Sequence, residues 1–252
     1  MRELHLFAGA GGGVLGGILL GHACVCAVEI EPYRRSVLLQ RQRDGILPKF
    51  PIWDDVRSFD GKPWHGKVDI VCGGFPCKNI SNAGDKSGIT GKHSGLWKEQ
   101  ISIIGDVLPD YVFVENSSSL IVRGIGVVLG DLALLGYDCR YGVLGGAAAD
   151  MDTDGKRLWI LAKAMHVGWP EVVHGFNGKC KEEKFEFQKA TSINSPSLLD
   201  RIRKHEALCG SPAVLGELDG MANRVDRLAS AGDGQIPSVV ELAWKTLASQ
   251  WL

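Results

Sequence analysis

Two side chains in this sequence have the chemistry of a nucleophile and of a proton donor. Cys77 ends the run Val68-Asp-Ile-Val-Cys-Gly-Gly-Phe-Pro-Cys77. Its apolar first half reads as a strand buried on both faces, and the Gly73-Gly74-Phe75-Pro76 turn then presents the thiol. Pro76 fixes its own φ and biases Phe75 towards extended backbone, so the mount is stiff. A thiol held this way at the carboxyl end of a parallel strand suits nucleophilic attack. The same residues equally permit a buried cysteine beside a structural turn, because free cysteine is often inert core. Glu115 ends a second apolar run, Pro109-Asp-Tyr-Val-Phe-Val-Glu-Asn116. A carboxylate at a strand end costs desolvation energy unless it is paired or in use, which makes Glu115 a candidate proton donor.

Upstream lies a unit suited to a nucleotide-type ligand. Glu3 to Phe7 reads as a first strand, Gly9 to Gly13 as a turn, Val14 to Leu20 as a helix and Ala23 to Val28 as a second strand ending at Glu29. Glycines let backbone approach a ligand closely, and a carboxylate at the second strand tip accepts both ribose hydroxyls. Gly11, Gly13 and Gly16 also satisfy G-x-G-x-x-G, so a dinucleotide is an alternative occupant. Ile52 to Val56 reads as a third strand end, where Asp55 either meets an adenine amino group or is a solvated loop acid.

The remaining elements must position these groups. The chain has 252 residues, enough for one large α/β domain and a small appendage. Its net charge of -1 gives no global sign of nucleic-acid binding, so any DNA-binding surface must be a local patch. None of the seven cysteines forms a C-x-x-C pair, which argues against a disulfide framework or zinc site and fits a reducing compartment. Leu4 to Val28 lacks Asp, Glu, Lys and Arg until Glu29, but its seven glycines suit a strand, turn and helix better than a membrane span. Helices are expected over Pro32 to Arg43, Leu96 to Val107 and Ile125 to Leu135, the last stopped by Gly136. Tyr137 to Val143 and Arg157 to Ala162 read as an antiparallel pair closing the sheet. Ile236 to Leu252 reads as a final helix with Pro237 in its first turn. The polar segment 82–95 reads as a lid. From Lys163 to about Leu218 periodicity is lost, which suits a solvated surface or a small DNA-facing module.

Taken in order, these pieces resemble the DNA (cytosine-5) methyltransferases, especially compact phage and bacterial members. Leu6-Phe-Ala-Gly-Ala-Gly-Gly12 is similar to the family's first cofactor motif, Val28-Glu29 to the second and Asp55-Val56 to the third. Gly74-Phe-Pro-Cys77 resembles the catalytic motif, followed by Gly95-Leu-Trp97. Val114-Glu-Asn116 resembles the Glu-Asn motif, and Arg157-Leu-Trp-Ile the end of the arginine motif. Asn223-Arg-Val-Asp-Arg-Leu228 with Gly232-Asp-Gly-Gln-Ile-Pro237 resembles the last motif.

The resemblance implies a Rossmann-like α/β methyltransferase sheet with helices on both faces. Residues 1–162 would form the catalytic and cofactor domain, 163–218 a small target-recognition segment, and 219–252 a motif and helix packing back on the domain. It implies S-adenosylmethionine as cofactor, with no metal. Phe7, Ala8, Gly9, Gly11 and Gly12 would hold it, with Glu29 and Ile30, Asp55 and Val56, and Asp233. It implies Cys77 adding to carbon 6 of a cytosine flipped from duplex DNA, Glu115 serving ring nitrogen 3, and Asn116 and Arg157 positioning Glu115 and the flipped base. A monomer acting on double-stranded DNA in a bacterial cell or phage-infected host is expected, in the cytoplasm and away from membranes. Lys78, His93, Gly155 and Asp233 depart from the family's usual residues. The alternative is therefore a weakened relative that binds DNA or cofactor without efficient methylation.

Overall fold

A computed structural model of the chain describes residues 1–76, 96–149, 155–165 and 234–251. Seven strands form one sheet: β1 (Arg2–Leu6), β2 (Ala23–Val28), β3 (Ile52–Trp53), β4 (Ile70–Gly73), β5 (Tyr111–Ser117), β6 (Tyr137–Leu144) and β7 (Arg157–Ala164). Their order is β3-β2-β1-β4-β5-β7-β6. β7 runs antiparallel to both β5 and β6, and the other neighbours are parallel. Six α-helices accompany them among the described residues: α1 (Gly12–Leu19), α2 (Pro32–Arg43), α3 (Leu96–Val107), α4 (Leu120–Arg123), α5 (Ile125–Leu134) and α6 (Pro237–Ala248). This is the Rossmann-like α/β sheet expected from the sequence, its carboxyl edge lined by the turns that follow β1, β2, β4 and β5. No helix among the described residues is long and apolar enough to cross a membrane.

Period-2 alternation divides the core into two faces. Leu4, Leu6, Val71, Val112, Val114, Leu158 and Ile160 pack on the side of α3 and α5. Ile70, Cys72, Phe113, Trp159 and Leu161 pack on the other side, against Val239, Val240, Ala243, Trp244 and Leu247 of α6. α6 also lies along α1, where a Cβ at Gly16 would sit 2.5 Å from Val240. Only a helix without side chains there allows so close an approach.

Element boundaries differ from expectation in small ways. α1 begins at Gly12 rather than Val14, because Gly11 takes a left-handed N-cap conformation (φ 93°) and starts the helix early. The third strand is only two residues long, since Asp55 caps a short 3₁₀ turn over Val56–Ser58. The final helix stops at Ala248 and tightens into a 3₁₀ turn over Ser249–Trp251. The segment 166–233, with the expected recognition module and most of the last motif, lies outside the described residues, as do the expected lid and the acidic run 150–154.

Candidate active site

β5 carries the central pair. Consecutive strand residues point to opposite faces, so Glu115 and Asn116 are committed to different jobs. Glu115 turns towards α6, where Arg157 Nε lies 3.1 Å from its Oε1 and Gln235 Nε2 donates to its Oε2 at 3.3 Å. Arg157 reaches it because the antiparallel register sets Trp159 opposite Glu115, leaving Arg157 diagonal to it at the strand end. Asn116 turns the other way, buried, and its Nδ2 donates to the carbonyl of Phe75 at 3.0 Å. Phe75 is itself buried, its ring 5.3 Å from that of Trp97. The turn leading to Cys77 is thereby fastened from one side by Asn116 and α3. On the other side it runs close to Glu115: a Cβ at Gly74 would be 2.8 Å from Glu115 Oε2. Cys77 itself lies outside the described residues, as do Lys78 and His93.

The turn after β1 has the shape of a ligand cradle. Phe7 holds a left-handed backbone (φ 55°), unusual for a bulky residue and common where a site dictates the chain path. Phe7, Ala8, Gly13, Gly74, Glu115 and Gln235 line one cavity. Glu29 is buried at the tip of β2; its Oε2 accepts from Gly9 N at 2.7 Å and its Oε1 from Glu31 N at 2.8 Å. These bonds hold the carboxylate still, and each oxygen retains a second lone pair for a hydroxyl donor. Ile30 beside it is half exposed (51%), an apolar surface ready to cover a ring. Asp55 forms a 2.6 Å ion pair with Arg57 and accepts from Arg57 N, and the guanidinium holds its carboxyl below the usual range. Val56 is buried beneath it. Gly12 packs against the Gln235 backbone, so it meets α6's leading residues rather than open space. Asp233 lies outside the described residues. The glycine cradle, the fixed carboxylate and the apolar Ile30 fit a nucleoside with a short charged tail.

Sequence patterning missed one cluster. His5 Nε2 and His22 Nδ1 each lie 2.7 Å from a different oxygen of Glu3, all three side chains buried. Despite burial, the two imidazole bonds hold the Glu3 carboxyl down at about 2. Cys72 stands opposite His5 on β4, and donor atoms of Glu3, His5 and Cys72 lie within 4.8 Å of one another. No C-x-x-C or H-x-x-x-H spacing signals this, because its members come from adjacent strands and a loop. Both Glu3 oxygens already accept imidazole bonds, so the arrangement is a satisfied hydrogen-bonded cluster rather than a metal cage. The only signal available in sequence was three polar residues inside an otherwise apolar run.

Residues 1–210 match the family described as C-5 cytosine-specific DNA methylase. The chain is 26% identical to the type II methyltransferase M.CviJI of Paramecium bursaria Chlorella virus IL3A over 246 residues, 97% of this chain and 62% of that protein. It is 28% identical to M2.BsuMI of Bacillus subtilis (strain 168) over 170 residues, 64% of this chain and 42% of that one. The chain therefore spans less than two thirds of either relative's length. Among solved structures, the Dnmt2 methyltransferase of S. pombe matches with a TM-score of 0.65 at 15% identity, covering 100% of this chain and 99% of that one. The Entamoeba histolytica methyltransferase EhMeth also matches at 0.65, with 11% identity and coverage of 100% and 99%. At these identities the structural likeness concerns the fold.

Proposed function

The chain belongs to the C-5 cytosine-specific DNA methylase family, and we propose that it methylates carbon 5 of a cytosine flipped out of duplex DNA. The observation that carries this reading is the position of Glu115. It is gripped by Arg157 and Gln235, adjoins Gly74 of the turn that leads to Cys77, and lines the same cavity as the cofactor turn. The turn that leads to Cys77, Glu115 and the loop after β1 thus meet at one sheet edge from separate strands, which supports this reading.

Cys77, as thiolate, adds to ring carbon 6 of the cytosine and makes carbon 5 electron-rich. Glu115 donates a hydrogen bond or proton to ring nitrogen 3, where negative charge develops; Arg157 sets the carboxyl's orientation. Asn116 acts through Phe75 as a positioning residue for the turn before Cys77. Phe7, Ala8, Gly9 and Gly11 would hold S-adenosylmethionine, with Gly12 and Asp233 beside them, Glu29 on its ribose, and Ile30, Asp55 and Val56 around its adenine. When bound, that cofactor supplies an electrophilic methyl group. Once carbon 5 carries the methyl group, loss of its proton to solvent re-forms the bond between carbons 5 and 6 as a double bond and expels Cys77 as thiolate. The segment 163–218 is proposed to read a short cytosine-containing site, with the protein acting as a monomer on double-stranded DNA in the cytoplasm of a bacterial cell or phage-infected host. Its type II relatives suggest a modification role beside a restriction enzyme.

A covalent trap tests this reading. Duplex DNA carrying 5-fluorocytosine, incubated with protein and S-adenosylmethionine, is expected to give a denaturation-resistant complex that Cys77→Ser abolishes. Absence of that adduct in the unsubstituted protein, with S-adenosylhomocysteine still bound, favours the weakened relative. Gly155, two residues before Arg157 where the family offers a second arginine, is the observation behind that second reading.

A further inference from the structure

The sheet face turned towards α1 and α6 is apolar apart from Glu115 and Arg157 at its carboxyl edge and the place where Glu3, His5 and His22 meet. Burying a carboxylate is expensive, and a fold tolerates it only when its hydrogen bonds are satisfied or its charge is used. This one is closely accommodated. A Cβ at Gly17 would lie 2.1 Å from Glu3 Oε2, so α1 passes over the carboxylate only because position 17 is glycine. The His22 ring meets Trp244 of α6 edge-on at 5.3 Å, and the β1–β2 register slips by one residue beside Glu3. With both rings neutral, each imidazole N–H satisfies one Glu3 oxygen and the carboxylate keeps its negative charge. The remaining titratable groups on this wall include Cys24 and Cys72, whose thiols are pushed up first by burial and then by Glu3. The cluster is buried, but it forms part of a cavity wall. Glu3 and His5 line the same cavity as Phe7, Ala8, Gly74 and Glu115.

Resting on the cofactor reading above, we propose that Glu3, held by His5 and His22, is a buried counter-charge for the sulfonium end of S-adenosylmethionine. It makes the site prefer the charged methyl donor to the neutral demethylated product. Inside a cavity walled by protein, a unit charge is felt over several ångströms more strongly than in water. Once the methyl group has gone, the sulfur is a neutral thioether and that attraction is lost. Donor is retained and product released by one fixed group, which touches neither the cytosine nor the thiol. Glu3 is thus a specificity-determining residue, and His5 and His22 position it.

Equilibrium titration of the full chain with S-adenosylmethionine, S-adenosylhomocysteine and sinefungin, at about pH 8 where free imidazole is neutral, tests this. Sinefungin carries an amine in place of the sulfonium and reports charge without transferring a methyl group. Glu3→Gln keeps the shape and removes the charge; either imidazole can turn its bare nitrogen to the new amide. The variant is expected to bind both cationic ligands roughly fivefold to twentyfold more weakly and the homocysteine product within about twofold. Equal weakening of all three ligands, or of none, overturns the proposal and leaves the cluster structural. If the unsubstituted protein binds none of them, the cofactor reading itself fails, which is a distinct result. Should Glu3→Gln not fold, the Glu115→Gln protein decides, because it lacks the other carboxylate lining that cavity. A buried charge is little screened, so that protein's donor-to-product preference should change less than twofold between about 0.05 and 0.5 M KCl, whereas a surface charge would lose it.

Discussion

Glu115 and Asn116 are sequence neighbours whose side chains work on opposite faces of one strand, so substitutions there should separate two effects. Glu115→Gln removes the proton donor while leaving the turn seated; methyl transfer measured with radiolabelled cofactor is expected to fall about 10²–10³-fold. Asn116→Ala releases the Phe75 carbonyl and unseats the turn before Cys77. Adduct formation with 5-fluorocytosine DNA should slow roughly tenfold to a hundredfold, while homocysteine-product binding stays within about twofold. Glu3 gives a pH signature. Its carboxyl lies at about 2 in the fold against 4.5 for the free group, so its stabilising contribution is present above the unfolded value. That contribution, about 3 kcal/mol, is lost as pH falls from about 4.5 towards 2. Thermal unfolding should show the unsubstituted protein ahead of Glu3→Gln at pH 7, with the gap closing through that window.

At the scale of elements, glycine has two opposite meanings in this chain. On α5, Gly130 is exposed and a Cβ there meets nothing within 4 Å. Gly130→Ala should stabilise by about 0.5–1 kcal/mol through helix propensity and reduced unfolded-chain freedom, raising the melting temperature by a few degrees. On α1, Gly17→Ala drives a methyl group into a carboxylate pinned by two imidazoles and should cost about 1–3 kcal/mol. Both glycines look alike in the sequence; only the neighbours on another strand tell them apart. Helix and strand identities were legible because apolar periodicity was strong along β1, β2, β5, α3 and α6. The short helix α4 and the 3₁₀ turns were not, since four or fewer residues carry too little period to read.

For the whole molecule, α6 is the element that completes the site from a distance. Trp244 packs edge-on against His22, Tyr111 and Phe113, tying the chain's end to β5 and to the loop after α1. Its neighbour in the site, Gln235, reaches Glu115 across 120 residues of sequence. Trp244→Ala leaves a large void on that face and should cost about 3–5 kcal/mol, seen as a lowered melting temperature. Because Gly12 and Gly13 of the cofactor turn pack on Gln235 at the head of α6, binding of S-adenosylhomocysteine should weaken together with stability.

The sequence alone determined the family, the order of the elements and the residues bearing polar chemistry, because short motifs and period-2 runs are local properties of the chain. It placed Glu115 and Asn116 at a strand end and Glu29 at another. Only the tertiary structure decided which groups meet. Arg157 finds Glu115 through antiparallel register, Asn116 finds Phe75 through strand adjacency, and Glu3 finds His5 and His22 beneath a bare stretch of helix. Those meetings depend on how strands order and helices dock, and no spacing along a single chain encodes them.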